Sequence, residues 1–273
     1  MAESFNLKEN YDFNDLVEIM KVLRVNCPWD REQTHESISK NFIEETYEAV
    51  DAIRTSDTVL LREELGDVLL QVVFHAEIER QAGNFSINGV TDEICKKLII
   101  RHPHVFGEIS AGTPAQVLNN WESIKRKTKN QNTHTESLED VPKSLPALMK
   151  AQKLQKRAKK SGFSQNIFQK GIDKLYVKIL KLNTAIKNAR EHTENGENNA
   201  DVQDEIGDLI FTLAGISEMF SVDAETALSA SCDKFIRRFA VLERQALESG
   251  NSLEDMPEEE IDAMWNKIEN FCK

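Results

Sequence analysis

The chain has 273 residues, of which 40% are hydrophobic, and its formal net charge at pH 7 is −12. This length allows one large domain or two domains of ordinary size, and the composition supplies enough apolar side chains for packed cores. The negative charge argues against a protein that coats nucleic acid, because affinity for a polyphosphate backbone comes mainly from clustered Lys and Arg.

Almost every long segment has helical periodicity, and the six prolines fall where helices should begin or end, so the sequence predicts an all-α fold. In the first half of the chain we expect helices near residues 12–25, 36–54, 58–82, 90–102 and 114–128. In the second half we expect helices near residues 144–160, 167–190, 200–220, 223–249 and 257–271.

An internal repeat relates the two halves. The stretch EELGDVLLQVVFHAE, which starts at Glu63, matches DEIGDLIFTLAGISE, which starts at Asp204, with an offset of 141 residues. In the same order along the chain, CKKLIIR is matched by CDKFIRR, and Trp121 is matched by Trp265. A repeat of this length is typical of duplicated domains.

The repeat and the composition together predict two related helical-bundle domains. The first is expected over residues 1–128 and the second over residues 144–273. The residues between them, 129–143, are polar and contain a proline, as a linker does.

Two of the predicted first-half helices carry acids within apolar runs. The stretch NFIEETYEAV places Glu45 and Glu48 on one helical face, with Glu44 at the edge of that face. The stretch EELGDVLL places Glu64 and Asp67 together in the same way. Four carboxylates from two facing helices form an all-oxygen cage, which is the ligand set that Mg²⁺ or Mn²⁺ prefers.

Other interpretations of these acids exist. Most acids on helices lie on a solvated face and pair with Lys or Arg. Against that, the acids lie among apolar residues, and Gly66 in mid-helix costs about 1 kcal/mol relative to Ala, which a close approach of a helix or ligand would explain. A ferritin-like di-iron site needs two Glu-x-x-His pairs, and the chain offers one, Glu32 with His35.

The motif Glu-Glu-x-x-Glu at residues 44–48, followed by Glu-x-x-Asp at residues 64–67, resembles the metal motif of the all-α nucleotide pyrophosphohydrolases. The stretches CPWDREQTHESI, RHPHVF and SLPALMKAQKLQKRA are similar to the MazG branch in particular, and the resemblance covers essentially the whole chain. It implies Mg²⁺-dependent hydrolysis of nucleoside triphosphates to the monophosphate and pyrophosphate, by helical bundles that usually form dimers.

The resemblance agrees with the chemistry of the cage, in which Glu45, Glu48, Glu64 and Asp67 are the expected metal ligands and Mg²⁺ the expected ion, with Mn²⁺ as an alternative. Glu44 is the candidate to orient or deprotonate the attacking water, or else acts from the second shell of the metal.

Cationic and aromatic residues of the first half are candidates to bind the nucleotide. They are Trp29, Lys97, Arg101, His102, Trp121 and Lys125. The cations could instead form an ordinary solvated face, the histidine could cap a helix, and tryptophan is more often part of a core than a stacking platform.

The second repeat departs from the motif. It keeps Glu205 and Asp208, but Val177, Lys178 and Lys181 occupy the positions where Glu-Glu-x-x-Glu is expected. A lysine ammonium repels a divalent cation, so we expect this cage to be dismantled, with the lysines in the place of the ion or paired with the remaining acids. The possible remnants of nucleotide binding are Glu205, Asp208, Lys234, Arg237, Arg238 and Trp265.

Two classes of function therefore stay open. One is a nucleoside triphosphate pyrophosphohydrolase of broad base specificity that acts on the nucleotide pool. The other is a catalytically silent nucleotide sensor or interaction module, which would apply if catalysis belonged to second repeats.

The sequence also predicts the compartment. No apolar run approaches the roughly 20 residues that span a bilayer, and the N-terminal stretch MAESFNLKENYD lacks the features of a signal peptide.

The four cysteines contain no C-x-x-C pair, so neither a zinc site nor a disulfide framework is indicated. We expect a cytoplasmic protein that binds nucleoside triphosphates, forms a homodimer, and has no membrane or nucleic-acid partner.

Overall fold

The computed structural model of the protein describes residues 6–107, 112–129, 131, 133–163, 167–191 and 200–271. These residues form helices and one short 3₁₀ turn, with no strand among them, so the predicted all-α fold is confirmed. The chain divides into two compact units, Met1–Lys125 and Arg126–Lys273. None of the helices in the described part of the chain is long and apolar enough to cross a bilayer.

The first unit contains six helices and most of a seventh, which continues past its boundary. They are α1 (Phe13–Asn26), α2 (Pro28–Glu32), α3 (His35–Thr55), α4 (Thr58–Ala82), α5 (Ile87–Arg101), α6 (Pro103–Phe106) and α7 (Pro114–Thr128). The five long ones coincide with the predicted helices to within a few residues. The two short helices, α2 and α6, were not predicted, although each begins with a proline, which is favoured at the first helical position.

The core of the first unit lies between α1, α3 and α4. Its fully or nearly fully buried side chains are Met20 of α1, Ile38 of α3, and Val73 and Phe74 of α4. Each such side chain contributes roughly 1.5–3 kcal/mol by leaving water. This core fixes the distance between α3 and α4, the two helices that carry the acids.

A two-residue connection joins α3 to α4 as an antiparallel hairpin. Ser56 ends α3 in the left-handed conformation, with a φ of 57°. The Asp57 carboxylate then accepts hydrogen bonds from the backbone N–H groups of Val59 and Leu60, both at 3.0 Å, and so caps the start of α4. The short connection therefore fixes how the residues of the two helices face each other.

The second unit repeats the long antiparallel pair. Its helices are α8 (His134–Glu139), α9 (Ala147–Lys160), α10 (Ile167–Glu191), α11 (Ala200–Met219), α12 (Ala224–Glu248) and α13 (Glu258–Phe271), with the 3₁₀ turn at Leu253–Asp255. The pair α10 and α11 corresponds to α3 and α4 by the sequence repeat. The two pairs can therefore be compared position by position.

The segment for which the sequence predicts a linker contains helix α8. Thr133 caps this helix in a capping box with Glu136, Val141 is buried, and the Arg157 guanidinium of α9 donates a hydrogen bond to the carbonyl of Ser137. Residues 130 and 132 lie outside the described residues. The described part of the segment after residue 133 is therefore packed structure of the second unit, held by hydrogen bonds that its polar composition did not suggest.

Candidate functional site

The hairpin of α3 and α4 brings the predicted metal ligands to matching levels. Glu48 stands eight residues before Ser56, and Glu64 stands eight residues after it; Glu45 and Asp67 each stand eleven residues from the same turn. Residues at equal distances from the turn of an antiparallel pair lie side by side. The two Glu-x-x-acid spacings thus converge on one place between the helices.

The structure brings three of the four predicted ligands into direct proximity. One carboxylate oxygen from each of Glu45, Glu48 and Glu64 lies within 4.8 Å of the other two. Glu64 is buried, with 7% of its surface exposed, whereas Glu45 is half-buried and Glu48 is exposed. Asp67, the fourth predicted ligand, is half-buried on α4 and is not part of this group of three.

The carboxylates disfavour one another's ionisation. Burial raises the pKa of Glu45 above the usual glutamate value, and the charge of Asp67 raises it further; Glu48 and then Glu44 act in the same direction. Burial also raises the pKa of Glu64, followed by the charge of Glu48 and a hydrogen bond with that residue. Asp67 and Glu44 therefore lie close enough to act electrostatically on the group of three.

The acids repel one another, and their arrangement suits a bound cation. Within the described part of the chain, Oε2 of Glu64 is buried and has no hydrogen-bond partner, a state that costs free energy unless another group satisfies the oxygen. The donors are all carboxylate oxygens, which suit a hard divalent cation such as Mg²⁺ or Mn²⁺. Such an ion would satisfy the orphaned oxygen and offset the repulsion together.

The surroundings of the acids are more open than the sequence predicts. Ile43 and Leu65, two of the apolar residues among which the acids lie in the sequence, are 58% and 53% exposed. A Cβ atom added to Gly66 would meet nothing within 4 Å, so no helix among the described residues approaches Gly66 closely; the other alternative, a close approach of a ligand, stays a prediction. The reason is that Gly66 lies on a side of α4 that no described element covers.

A second group of predicted residues lies at the end of α5 and on α7. The guanidinium of Arg101 stacks over the ring of Trp121, 5.0 Å from its centroid, and the ammonium of Lys125 lies 5.5 Å from the same centroid. Both contacts are cation–π interactions. Arg101 of α5 is thus brought beside Trp121 and Lys125, which lie one turn apart on α7.

The remaining predicted nucleotide-binding residues take different positions. His102 is the C-cap of α5, and its Nδ1 lies 2.6 Å from the carbonyl oxygen of Leu98, as the capping interpretation suggested. Lys97 is exposed on α5. Trp29 on α2 is 58% exposed, so it is a surface residue rather than part of the core.

Arg24, which is not among the predicted site residues, holds the segment that carries Trp29. Its guanidinium is buried and donates hydrogen bonds to the backbone carbonyls of Asp30 and Gln33, the latter at 2.9 Å, and to Oε1 of Gln81 on α4. This arginine thereby fixes α2 against α1 and α4. The only signal in the sequence was a cation in an amphipathic helix, which is too common to single out.

His35 belongs to a polar cluster with two residues of α4. Its Nδ1 lies 2.7 Å from Nδ1 of His75, and its Nε2 lies 2.6 Å from Oε1 of Glu79, both on α4. Burial, followed by the neighbouring His35, lowers the pKa of His75. Glu32 is not one of these partners. His35 contacts His75, forty residues away in the sequence, rather than Glu32, three residues away.

In the second unit, lysines stand where the first unit has acids. Lys178 forms an ion pair with Asp208, and Nζ of Lys181 lies 4.0 Å from Oε1 of Glu205. The expected pairing of these lysines with the remaining acids is therefore present. Among the described residues, the three-carboxylate group of the first unit has no counterpart here.

The other predicted remnants lie on α12 and α13. Nη1 of Arg238 lies 3.2 Å from Oε1 of Glu269, and the ring of Trp265 packs against Phe235 with centroids 5.3 Å apart. Both contacts join α12 to α13. Lys234 and Arg237 are exposed on α12.

Known proteins resemble this chain along most of its length. Residues 33–106, which include α3, α4 and the carboxylates, match the family model of the MazG nucleotide pyrophosphohydrolase domain. The nucleoside triphosphate pyrophosphohydrolase of Escherichia coli K12 is 38% identical over 256 residues, which cover 93% of this chain and 95% of that protein.

A second relative, the nucleoside triphosphate pyrophosphohydrolase/pyrophosphatase MazG of Thermotoga maritima, is 38% identical over 93% of this chain and 94% of that protein. The uncharacterized protein YabN of Bacillus subtilis is 39% identical over 94% of this chain but only 51% of its own length. With this identity over both units, and with the carboxylates of the family motif gathered between α3 and α4, the chain belongs to the MazG family of nucleotide pyrophosphohydrolases.

Proposed function

We propose that the protein is a Mg²⁺-dependent nucleoside triphosphate pyrophosphohydrolase whose catalytic site lies in the first unit. The observation that carries the proposal is the group formed by Glu45, Glu48 and Glu64, together with the buried and unpartnered Oε2 of Glu64. The relatives in Escherichia coli and Thermotoga maritima, both named as nucleoside triphosphate pyrophosphohydrolases, support the same reaction.

The carboxylates hold the cofactor in this proposal. Glu45, Glu48 and Glu64 are the ligands from the group of three, and Asp67 completes the set from the next turn of α4. When bound, Mg²⁺ neutralises charge on the phosphate oxygens and makes water a better nucleophile. Because Glu48 is exposed and Glu64 is buried, the site has a closed inner side and an open outer side, which is where a substrate enters.

The residues of the chain then act on the substrate. Glu44 is exposed beside the group, and its carboxylate accepts a proton from the attacking water. Oxygen of that water forms a bond to the α-phosphorus, and the bond from this phosphorus to the bridging oxygen breaks. Pyrophosphate leaves with the bridging oxygen, and the nucleoside monophosphate keeps the oxygen from water.

The pair Arg101 and Lys125 supplies cations for the phosphate chain, and Trp121 orients the guanidinium through their stacking. These side chains and the acids recognise phosphate rather than a base edge. We therefore expect broad base specificity, with Trp29 or Trp121 contributing base stacking that is tolerant of base identity.

Product analysis with isotopic water tests the proposal. The purified protein is incubated with Mg²⁺ and a panel of canonical and modified nucleoside triphosphates in ¹⁸O-labelled water. We expect pyrophosphate release from several nucleotides, with the label in the monophosphate. Label in pyrophosphate, or a diphosphate plus orthophosphate as products, contradicts attack at the α-phosphorus. Failure with every nucleotide, in a protein that still binds them, supports a nucleotide sensor instead.

A homodimer is part of the proposal. The helices that carry the acids also expose Ile43, Tyr47, Leu65 and Leu69, of which the last is 39% exposed. An apolar patch of this kind is typical of an interface. Light scattering is expected to give twice the chain mass of 31.1 kDa, and a species of the chain mass alone at working concentration overturns the dimer.

A further inference from the structure

The second unit contains a large cavity that the family motif does not account for. Its volume is about 740 Å³, and it lies between α8, α9, α10 and α11. This volume is in the range of pockets that hold small organic ligands, roughly 300–1,000 Å³. The cavity adjoins the lysine-paired acids, since Lys178 and Asp208 both line it.

The interior of the cavity is mostly apolar. Its lining includes Leu154 and Ala158 of α9, Val177 of α10, and Phe211 and Ile216 of α11. The side chain of Gln155 lies directly over Gly215, so closely that an added Cβ would be 1.8 Å from its Oε1, and its Nε2 donates to the carbonyl of Phe211. The amide nitrogen of Gln155 is thus already satisfied, and the five apolar side chains form an apolar chamber within the cavity.

The charges around the cavity leave a surplus of cations. Its described lining has four lysines against three acids: Asp208 is paired with Lys178, Glu218 lies 3.5 Å from Lys156 outside the lining, and Asp173 is exposed and forms no ion pair with another described residue. Two further lining lysines, Lys159 and Lys174, are exposed and form no ion pair with another described residue. They therefore lie where the cavity meets solvent, with their ammonium groups available to an anion.

We propose that this cavity binds a small amphipathic anion, an apolar ring or chain that carries one phosphate, sulfonate or carboxylate group, without a metal ion. The apolar body fills the chamber of Leu154, Ala158 and Phe211, and the anionic group is bound by Lys159 and Lys174. In a charge-assisted hydrogen bond an ammonium can hold a phosphate or carboxylate directly. Lys159 of α9 and Lys174 of α10 thus bind the anion without a metal ion, and the site is independent of the proposed hydrolysis.

Two fluorescent probes of the same shape test the proposal on the full-length protein. The anion 8-anilinonaphthalene-1-sulfonate is compared with the neutral N-phenyl-1-naphthylamine, in EDTA and in Mg²⁺. We expect the anion to bind more tightly than the neutral probe, with the same affinity in EDTA and in Mg²⁺. Equal affinity for both probes, or binding of the anion that requires Mg²⁺, overturns the proposal.

Variants locate the probe. The double substitution Lys159→Gln with Lys174→Gln is expected to weaken binding of the anionic probe about tenfold, because its charge contacts are lost. The affinity for the neutral probe is expected to stay unchanged. Ala158→Phe is expected to weaken both probes by filling the chamber. Lys153→Gln, an exposed lysine of α9 outside the lining, is the matched control.

If the lysine variants bind the anionic probe as the native protein does, the fluorescence comes from apolar surface elsewhere and the site is refuted. The two substituted lysines are exposed, so their replacement leaves the apolar lining of the cavity intact. This result therefore does not depend on whether Ala158→Phe folds. Competition by 1-naphthyl phosphate and by decanoate then separates an aromatic from an aliphatic ligand, and displacement by neither overturns the assigned chemistry.

Discussion

The two helical hairpins of the molecule, α3–α4 and α10–α11, have the same arrangement of helices but opposite arrangements of charge. In the first unit Glu45 stands level with Asp67; in the second, Lys178 stands level with Asp208 and pairs with it. Two residues at matching levels therefore repel each other in one hairpin and attract each other in the other.

The second level of each hairpin repeats the pattern. Glu48 raises the pKa of Glu64 in the first unit, after burial as the larger cause, whereas Lys181 lies 4.0 Å from Glu205 in the second. Oε2 of both Glu64 and Glu205 is buried without a hydrogen-bond partner among the described residues. The hairpins therefore differ in what faces the acids of α4 and α11: other acids in the first hairpin, and lysines in the second. This difference predicts which unit responds to Mg²⁺.

The largest expected effect is that of neutralising an acid of the first hairpin. Glu64→Gln removes the charge of the buried ligand, so we expect turnover to fall by about two orders of magnitude or more, with helicity unchanged. Steady-state pyrophosphate release at several Mg²⁺ concentrations measures it. Glu63→Gln, an exposed neighbour on the same turn, is the matched control and should stay within about twofold of native. Near-normal turnover of Glu64→Gln at limiting Mg²⁺ would refute the metal assignment.

A smaller effect is expected at the cation that stacks on Trp121. Arg101→Ala should raise KM for nucleoside triphosphates about tenfold, because one charge-assisted contact to phosphate is lost, and Arg101→Lys should recover part of it. Lys96→Ala is the control, since Lys96 is exposed and pairs with Asp92 on the same helix. If Arg101→Ala leaves both KM and kcat unchanged, the arginine supports the fold and does not bind substrate.

The sequence predicted the parts of this comparison that depend on local periodicity. The long helices, the opposition of Glu45 and Glu48 to Glu64, and the loss of that group in the second repeat all follow from spacings of three and four residues and from one repeat offset. A hairpin with a short connection turns such spacings into spatial neighbours with little freedom, which is why they could be predicted.

The parts that could not be predicted depend on contacts between distant residues or on empty space. Arg24 bonds to carbonyls of α2 and to Gln81, and no spacing in the sequence links those groups. Leu65 is exposed and Gly66 is surrounded by open space because no described element packs on that side of α4. The apolar run in the sequence does not show which of its residues another element covers. The cavity of the second unit arises in the same way, from side chains of four helices that do not fill the space between them.

A third prediction concerns the stability of the metal-free protein. Burial and the charge of Asp67 raise the pKa of Glu45 above its ordinary value of 4.5, so the folded state holds this proton more tightly than the unfolded state. The free energy of unfolding contributed by this group is therefore complete below pH 4.5 and is lost as the pH rises through the raised pKa.

Glu45→Gln removes that dependence, and in EDTA at pH 8 it should raise Tm by about 1–3 °C, a gain that shrinks as the pH falls towards 4.5. Thermal unfolding followed by circular dichroism measures the difference. Added Mg²⁺ should reverse the order, because only the native site gains the full binding energy of the ion. A native protein that stays less stable than Glu45→Gln at saturating Mg²⁺ would contradict the cage.

The smallest expected effect is on turnover when the second hairpin is changed, and it is the sharpest test of the asymmetry. Two carboxylates paired with lysines compete poorly with water for Mg²⁺, because the ion gives up its hydration reluctantly. Glu205→Ala and Asp208→Ala should therefore leave turnover per folded molecule within about twofold of native, whereas Glu64→Ala and Asp67→Ala abolish it. The Lys178–Asp208 pair is partly exposed, so its loss should cost at most about 1 kcal/mol of stability. Turnover of the four variants, each normalised to folded protein, decides the matter: if Glu205→Ala is as inactive as Glu64→Ala, the second hairpin is catalytic and the roles of the two units are exchanged.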